Sequence, residues 1–239
     1  MARLVRRLAR AVKRRLKSAV ERPAQHVEFD PFQWLAASYK FRTLIDIGAN
    51  DGAYGAFIAK ALRIPSAYFF EPQSACQADL RRVASALRRA EVFQLALGDH
   101  DGEAEFLETD YGPSSSLLPP DAQALGEFPQ NAVKRRVKVS LRRLDDVLAG
   151  EALEDDVILK IDVQGLEDKV ILGGRQVFGR ARVVLAEMSF VPLYAGQPLF
   201  EEVHDLLVQC GLRFAGIKNQ IMMPKSLRPG FAHCVYLRT

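Results

Sequence analysis

Short apolar runs alternate with amphipathic stretches along most of this chain. The apolar runs are four to six residues long and have the composition of strands: 43–47, 67–70, 92–97, 157–161 and 183–186. Because these runs are mostly unbroken instead of alternating with polar residues, they are typical of parallel strands covered on both faces. The stretches between most of them have the spacing of amphipathic helices, at 53–63, 74–89 and 167–178. Repeated strand–helix units predict an α/β fold with a doubly wound, mostly parallel sheet.

The interval 98–142 departs from this alternation. A hairpin, a loop rich in Ser and Pro, and the end of a basic strand are predicted there, at 103–107, 112–120 and 137–141. Long irregular insertions in compact domains often carry function. The last part of the chain predicts a helix followed by two strands, at 199–210, 214–221 and 232–237.

The charge of the chain is concentrated at its beginning. Residues 1–22 contain nine Lys and Arg and one acid, a net charge of +8, whereas the whole chain has a net charge of +4. The remaining residues therefore carry a net charge of −4. Since a nucleic acid requires a basic surface, we expect no nucleic-acid partner for this acidic body.

Residues 1–22 also carry a narrow apolar stripe at helical spacing, which Pro23 ends. We divide the chain into a basic amphipathic helix at 1–22, a lead-in at 23–39 and a domain at 40–239. The helix either packs on the domain or lies on an anionic membrane surface. No apolar run is long enough to span a bilayer, and the three cysteines have no disulfide or metal spacing. We expect a cytoplasmic protein, with peripheral contact to the inner face of the membrane as the open alternative.

The most informative segment, Asp-Ile-Gly-Ala-Asn-Asp-Gly at 46–52, follows the first predicted strand. Gly48 and Gly52 allow the backbone to approach a ligand closely, because they have no Cβ. The spacing differs from the G-x-G-x-x-G of dinucleotide sites, and Asp46 would repel a pyrophosphate. An acid at this position favours the cationic amino end of S-adenosylmethionine (SAM). The alternative is a tight turn without a ligand.

Glu71 ends the second predicted strand, within Phe-Glu-Pro. A carboxylate at this edge of the sheet can accept hydrogen bonds from both ribose hydroxyls of a nucleoside. The alternative is a favourable interaction with the N-terminus of the following helix. Together with the glycine turn, Glu71 indicates ribose binding.

Asp162 and Glu187 end the fourth and fifth predicted strands. In a doubly wound sheet the fourth strand lies beside the first, so we expect Asp162 near Gly48 and near a transferred methyl group. Asp162 is the first candidate for the base that takes the proton of an acceptor hydroxyl, and Glu187 is the second. A divalent cation held by both, Mg²⁺ or Mn²⁺, is an alternative. So are structural roles, a helix cap for Asp162 and an arginine ion pair for Glu187.

These motifs, in this order, resemble the FkbM family of methyltransferases. The resemblance covers roughly 40–239 and includes the glycine turn, Phe-Glu-Pro, Ala-Leu-Gly-Asp at 96–99, Leu-Lys-Ile-Asp-Val-Gln-Gly-Leu-Glu at 159–167 and Pro-Leu-Tyr at 192–194. It implies a class I SAM-dependent, Rossmann-like fold with a final antiparallel strand, and O-methylation of sugars or macrolide-like products. It also implies a SAM site lined by Asp46, Gly48, Asn50 and Glu71, with the Asp99 region near the adenine. Many relatives have Glu where this chain has Gln164, so we assign that residue no role.

We therefore expect a SAM-dependent O-methyltransferase that acts on a hydroxyl of a small-molecule, sugar or glycan acceptor. A nucleic-acid methyltransferase is disfavoured by the acidic body and by the absence of an Asn/Asp-Pro-Pro-aromatic motif after the fourth strand. A catalytically silent scaffold that binds SAM or a membrane is the other alternative. The intact glycine turn and Glu71 argue against it.

Overall fold

The computed structural model describes residues 30–151, 153 and 156–238. Its strands are β1 (Thr43–Ile47), β2 (Ser66–Phe70), β3 (Arg89–Phe93), β4 (Ala96–Leu97), β5 (Gly102–Thr109), β6 (Val133–Arg142), β7 (Val157–Ile161), β8 (Ala181–Ser189), β9 (Leu212–Met222) and β10 (Pro229–Arg238). Its α-helices are α1 (Pro31–Ser38), α2 (Ala53–Leu62), α3 (Gln77–Ala84), α4 (Ala122–Glu127), α5 (Leu144–Val147), α6 (Glu167–Gly173), α7 (Arg175–Arg180) and α8 (Phe200–Gln209).

The main sheet has seven strands in the order β3-β2-β1-β7-β8-β10-β9. The first five of these are parallel, and β10 runs antiparallel to both β8 and β9. This order confirms the doubly wound, mostly parallel sheet and its final antiparallel strand. The direction of winding reverses between β1 and β7, and ligands of such sheets bind outside the carboxyl ends of the strands at that point.

Every residue of β1, β2 and β7 is buried, in agreement with their mostly apolar sequences. Side chains that alternate along a strand enter opposite layers of the core. Ile45 and Leu159 pack with α6, α7 and α8 on one face of the sheet, whereas Leu44 and Ile158 pack with α1, α2 and α3 on the other. Covering both faces holds the carboxyl ends of these strands at fixed positions.

The predicted strand at 92–97 is divided between two sheets, which corrects the sequence-based boundary. β3 ends at Phe93, and β4 pairs instead with β6 in a second sheet of order β4-β6-β5. The predicted helix at 167–178 is likewise divided into α6 and α7 around Gly173 and Gly174. A Cβ on Gly173 would lie 1.9 Å from the carbonyl oxygen of Gly98, so the helix is pressed against the chain that leads into the small sheet.

Charges on and beside the antiparallel strands β5 and β6 are paired across the two strands. The cross-strand ion pairs are Asp101–Arg142, Glu103–Lys138, Glu105–Arg136 and Glu108–Arg135. The basic strand predicted from the sequence therefore meets an acidic partner strand. This pairing leaves it poorly suited to the phosphates of a nucleic acid.

Within the predicted lead-in, residues 31–38 form α1. The Asp30 side chain caps this helix by accepting a hydrogen bond from the Phe32 backbone N–H at 2.9 Å, and Phe32 and Leu35 are buried against α2 and α3. The predicted helix at 1–22 lies outside the described residues, so the division of the chain at residues 22 and 39 stays a prediction. None of the helices in the described part of the chain has the length and apolar character needed to cross a bilayer.

Candidate active site

A cavity of about 360 Å³ opens at the carboxyl ends of β1, β2 and β7, where the winding of the sheet reverses. Gly48 and Asn50 from the turn after β1, Glu71 from the end of β2 and Asp162 from the end of β7 all line it. These four residues were predicted from sequence to share one site, and the structure brings them together. Leu97 and Phe106 of the small sheet form an apolar wall on another side.

Gly48 brings the ends of β1 and β7 into close contact. Its φ is +72°, in the region that favours glycine, and a Cβ there would lie 1.8 Å from the carbonyl oxygen of Asp162. Gly52 is also in the left-handed region, but an added Cβ would meet Leu80 of α3 at 2.7 Å. Gly48 thus shapes the cavity, whereas Gly52 lets α2 and α3 pack closely and does not line it.

The Glu71 carboxylate is buried and is held by the backbone. Its two oxygens accept hydrogen bonds from the N–H groups of Asn50, at 2.8 Å, and Gln73, at 2.9 Å. Burial raises the pKa of Glu71, and these two backbone hydrogen bonds oppose that shift. Since a carboxylate oxygen can accept more than one hydrogen bond, Glu71 keeps acceptor capacity towards the cavity.

Asp46 lies beneath the glycine turn instead of on the cavity lining. It is fully buried, and its Oδ1 is 3.2 Å from Nζ of Lys160, a buried residue of β7. Lys160 also donates to the carbonyl oxygens of Ile47 and Gly48. Burial by itself lowers the pKa of Lys160, but the carboxylates of Asp46 and Asp162 outweigh that effect and raise it. Lys160 thus links the Asp46 carboxylate to the backbone of the glycine turn.

Sequence reasoning missed Lys160. The signal was a lysine inside an otherwise apolar strand, Val-Ile-Leu-Lys-Ile, which ends one residue before Asp162. A lysine is almost never fully buried unless it is paired, so its position in the pattern required an acidic partner. The sequence could not identify that partner as Asp46, which lies on a different strand.

Asp162 and Glu187 meet in a polar cluster at one end of the cavity. The Gln164 amide donates to Asp162 Oδ1 at 2.6 Å and to Glu187 Oε1 at 2.9 Å, and so bridges the two carboxylates. His233 of β10 completes the cluster, with Nε2 3.3 Å from Glu187 Oε2 and Nδ1 2.9 Å from Asn219 Oδ1. Ligand atoms of Asp162, Glu187 and His233 all lie within 4.8 Å of one another, an arrangement that could hold a metal ion.

Gln164, which received no role from the sequence, is held from two sides. Tyr194 Oη lies 2.6 Å from its Oε1, and the Ser116 hydroxyl donates to its backbone carbonyl at 2.7 Å. Burial, together with the nearby Asp162 carboxylate, raises the pKa of Glu187, while His233 opposes the shift. The cluster is thus a fixed arrangement of donors and acceptors and not a set of mobile surface groups.

Asp99 lies outside the cavity that Gly48, Glu71 and Asp162 line, and also outside the second cavity described below. Its carboxylate is 2.7 Å from His100 Nδ1 and 3.4 Å from Lys169 Nζ. The hydrogen bond with His100 is the main cause of its lowered pKa. Other residues of the same segment, Ala96 and Leu97, do line the cavity.

A second cavity, of about 520 Å³, shares Asp162, Gln164, Asn219 and His233 with the first. Its other walls combine aromatic and amide side chains, including Tyr111, Phe128, Phe231, Gln130 and Asn131. Glu187 lines this cavity and not the first. Ligands in the two cavities would therefore meet at the polar cluster.

The strand order, the glycine turn after β1, the acid after β2 and the acid after β7 define a class I SAM-dependent methyltransferase. The chain belongs to the FkbM methyltransferase family, because the sequence model of that family, the methyltransferase FkbM domain, matches residues 46–214. It is similar to the 2-O-methyltransferase NoeI of Sinorhizobium fredii, with 29% identity over 171 residues that cover 69% of this chain and 70% of that protein. Membership in the family and its SAM-dependent methyl transfer were both predicted from the sequence and are confirmed.

Two solved structures are among those similar to this chain. The magnesium protoporphyrin IX methyltransferase ChlM from Synechocystis PCC 6803, with bound SAM, has 12% identity and a TM-score of 0.45, and the match covers 87% of this chain and 76% of that one. The precorrin-6y C5,15-methyltransferase from Geobacter metallireducens GS-15 has 8% identity and a TM-score of 0.46, with coverage of 90% and 92%.

Proposed function

We propose that this enzyme transfers the methyl group of SAM to a hydroxyl of a sugar, glycan or other small-molecule acceptor. The observation that carries the proposal is the pair of cavities that meet at Asp162, Gln164 and His233. One cavity takes the cofactor and the other takes the acceptor. The similarity to a relative named as a 2-O-methyltransferase supports transfer to oxygen.

The first cavity fits the parts of SAM. Glu71 has acceptor capacity for the ribose hydroxyls, and the apolar wall of Leu97 and Phe106 suits an adenine ring. The backbone at Gly48, which has no side chain, leaves room for the methionyl part. When bound, SAM supplies a methyl group on a positively charged sulfur, and the acids around the cavity favour that charge.

The second cavity fits a neutral, hydroxyl-rich acceptor. Aromatic side chains such as Tyr111, Phe128 and Phe231 pack well on the apolar face of a sugar ring, while the nearby amides can hydrogen-bond its hydroxyls. No Lys or Arg is found among the described residues that line this cavity, whereas Asp162 and Glu187 contribute carboxylates. A phosphorylated or carboxylated acceptor would be repelled.

Asp162 is the proposed base. Its Oδ1 accepts a hydrogen bond from Gln164, while its Oδ2 makes a long ion pair with Lys160, at 3.9 Å, and is the oxygen proposed to take a proton from an acceptor hydroxyl. Most of the remaining acceleration would come from holding acceptor and methyl group in line. Glu187 is better suited to orient the acceptor, because its two oxygens are already engaged by the Gln164 amide and by His233.

A divalent cation, Mg²⁺ or Mn²⁺, held by Asp162, Glu187 and His233 is the alternative way to activate the hydroxyl. The oxygen atoms and the imidazole nitrogen are acceptable ligands for these ions. Gln164, however, already donates to one oxygen of each carboxylate, which places a hydrogen-bond donor between two of the candidate ligands. This bridge favours the metal-free reaction. Loss of activity in EDTA that is restored by Mg²⁺ or Mn²⁺ would favour the metal instead.

The test is Asp162→Asn, assayed by transfer of labelled methyl groups from SAM to acceptors in an extract of the source cells. Turnover should fall about 10²- to 10⁴-fold, as for the loss of a general base, while SAM affinity stays nearly unchanged. Asp79→Asn is a matched control, because Asp79 is an exposed residue of α3 whose partner is Arg82. Near-normal turnover of Asp162→Asn would remove the assigned role. SAM binding by the wild type without transfer to any acceptor would support the silent scaffold.

A further inference from the structure

Lys218 of β9 reaches the rim of the cofactor cavity. Its ammonium lies 4.7 Å from the centroid of the Tyr54 ring and 5.4 Å from that of Phe32, and it donates to the Tyr54 hydroxyl at 3.0 Å. Two aromatic faces therefore hold the cation in place. The side chain is half-buried, so packing against neighbouring residues restricts its position.

Lys218 differs from the other cations around the site in having no acidic partner among the described residues. Lys160 is paired with Asp46, His233 faces Glu187, and Lys169, just outside the cavity, is paired with Asp99. Every described carboxylate lies beyond ion-pair distance of Lys218, which instead donates a hydrogen bond to the neutral hydroxyl of Tyr54. A half-buried ammonium that lines a ligand cavity without a counter-ion favours an anionic ligand group.

The charges of SAM identify that group. The cofactor has a sulfonium, an ammonium and a single carboxylate at neutral pH, so the carboxylate is the anion that needs a basic partner. The basic side chains among the described lining residues are Lys160, Lys218 and His233. Lys160 already binds Asp46 and two carbonyl oxygens, and His233 binds Glu187. Lys218 is therefore the lining residue that can bind the carboxylate of SAM.

The position of Tyr54 indicates the same end of the cofactor. Tyr54 lies in the first turn of α2, two residues after the glycine turn, and it lines the cavity together with Gly48. The apolar wall that suits adenine belongs to the small sheet instead. The N-terminus of α2, a helix of ten residues, also favours a negative group nearby.

We propose that Lys218, positioned by the rings of Tyr54 and Phe32, binds the α-carboxylate of the methionyl part of SAM. This proposal rests on SAM occupying the first cavity, as proposed above. Lys218 is a binding residue for the cofactor and takes no part in the movement of protons at Asp162.

The test compares SAM with decarboxylated SAM, which keeps the sulfonium and the amine but lacks the carboxylate. In Lys218→Met the Kd for SAM, measured by calorimetry, should rise about 10- to 100-fold, as expected for a lost charge-assisted hydrogen bond. The Kd for decarboxylated SAM should change less than about twofold, because no bond to it is lost. Lys218→Arg keeps the charge and should retain most of the preference for SAM.

Lys60→Met is the matched control, since Lys60 is exposed on α2 and outside both cavities. Equal weakening of both ligands in Lys218→Met would show that Lys218 only supports the rings, and unchanged affinity for both would exclude any contact. Either result overturns this proposal while SAM binding itself stands. If the wild type binds decarboxylated SAM as tightly as SAM, no carboxylate contact exists. Failure of the wild type to bind either ligand would instead refute the proposed function.

Discussion

Lys160→Met should strongly destabilise the fold, because it leaves the Asp46 carboxylate buried without its cation. Lys160 and Asp46 are both buried, and their charged atoms are 3.2 Å apart. At that distance, with an effective dielectric constant of about 20, two unit charges attract by about 5 kcal/mol. Removal of one partner from a buried pair typically costs about 3–5 kcal/mol. Since domains unfold with only about 5–15 kcal/mol, the variant should lose a large part of its stability.

The loss should depend on pH. Burial raises the pKa of Asp46, and Lys160 opposes that shift. Without Lys160 the Asp46 carboxyl of the folded state keeps its proton to a higher pH, whereas in the unfolded state it loses the proton near pH 4. Folding therefore binds a proton between these two pKa values, and the stability of the variant falls as the pH rises through that range. The deficit of Lys160→Met should therefore be largest above the folded-state pKa of Asp46 in the variant and should shrink as the pH falls below that pKa.

Urea unfolding followed by circular dichroism measures both effects. Asp46→Asn and the variant that combines it with Lys160→Met complete a double-mutant cycle. The combined variant should lose less stability than the sum of the losses in the two single variants. Lys60→Met, at an exposed position, should change stability by less than about 0.5 kcal/mol. A loss below about 1 kcal/mol in Lys160→Met, with additive effects in the cycle, would refute the view that this pair supports the glycine turn.

Three further outcomes are expected. Glu71→Ala should weaken SAM binding at least about tenfold, because two charge-assisted hydrogen bonds to ribose are lost; unchanged affinity by calorimetry in the folded variant would remove that assignment. Gly48→Ala should abolish SAM binding and lower the melting temperature, since its Cβ would lie 1.8 Å from Asp162 O and a left-handed alanine costs about 1–2 kcal/mol more. A chain beginning at Ala24 should bind SAM but fail to co-sediment with anionic liposomes that retain the full chain at low salt, because residues 1–22 carry a net charge of +8. Equal sedimentation of both chains would exclude a membrane role for this segment.

The fold was more predictable from the sequence than the active site, for a physical reason. β1 and β7 match their predicted limits because a mostly apolar run leads into a turn with glycine in each case. The run at 92–97 was misread as one strand because local composition does not show that β3 and β4 pair in different sheets. Strand pairing in the folded protein determines which sheet each segment joins, and the periodicity of the sequence does not show that pairing.

The polar cluster shows the same limit within the site. Asp162 was found from its position just after β7, because parallel strands align their carboxyl ends. Glu187 was found because it follows a predicted apolar strand, although β8 continues past it to Ser189. Their bridge through Gln164 depends on Tyr194, a residue 30 positions away in the chain, and His233 joins only because β10 runs antiparallel beside β8. Contacts that depend on non-local packing leave no periodic signal in one sequence.

The chain segment between β3 and β7 gives the enzyme a modular construction. It supplies Leu97 and Phe106 to the first cavity and Tyr111 and Phe128 to the second, whereas Asp162 follows β7 and Glu187 lies in β8 of the main sheet. On the proposed function, part of the acceptor cavity is thus built on a different segment from the carboxylates that act on the acceptor. We expect that exchange of segments such as 111–131 between relatives would change the acceptor while the main sheet stays intact.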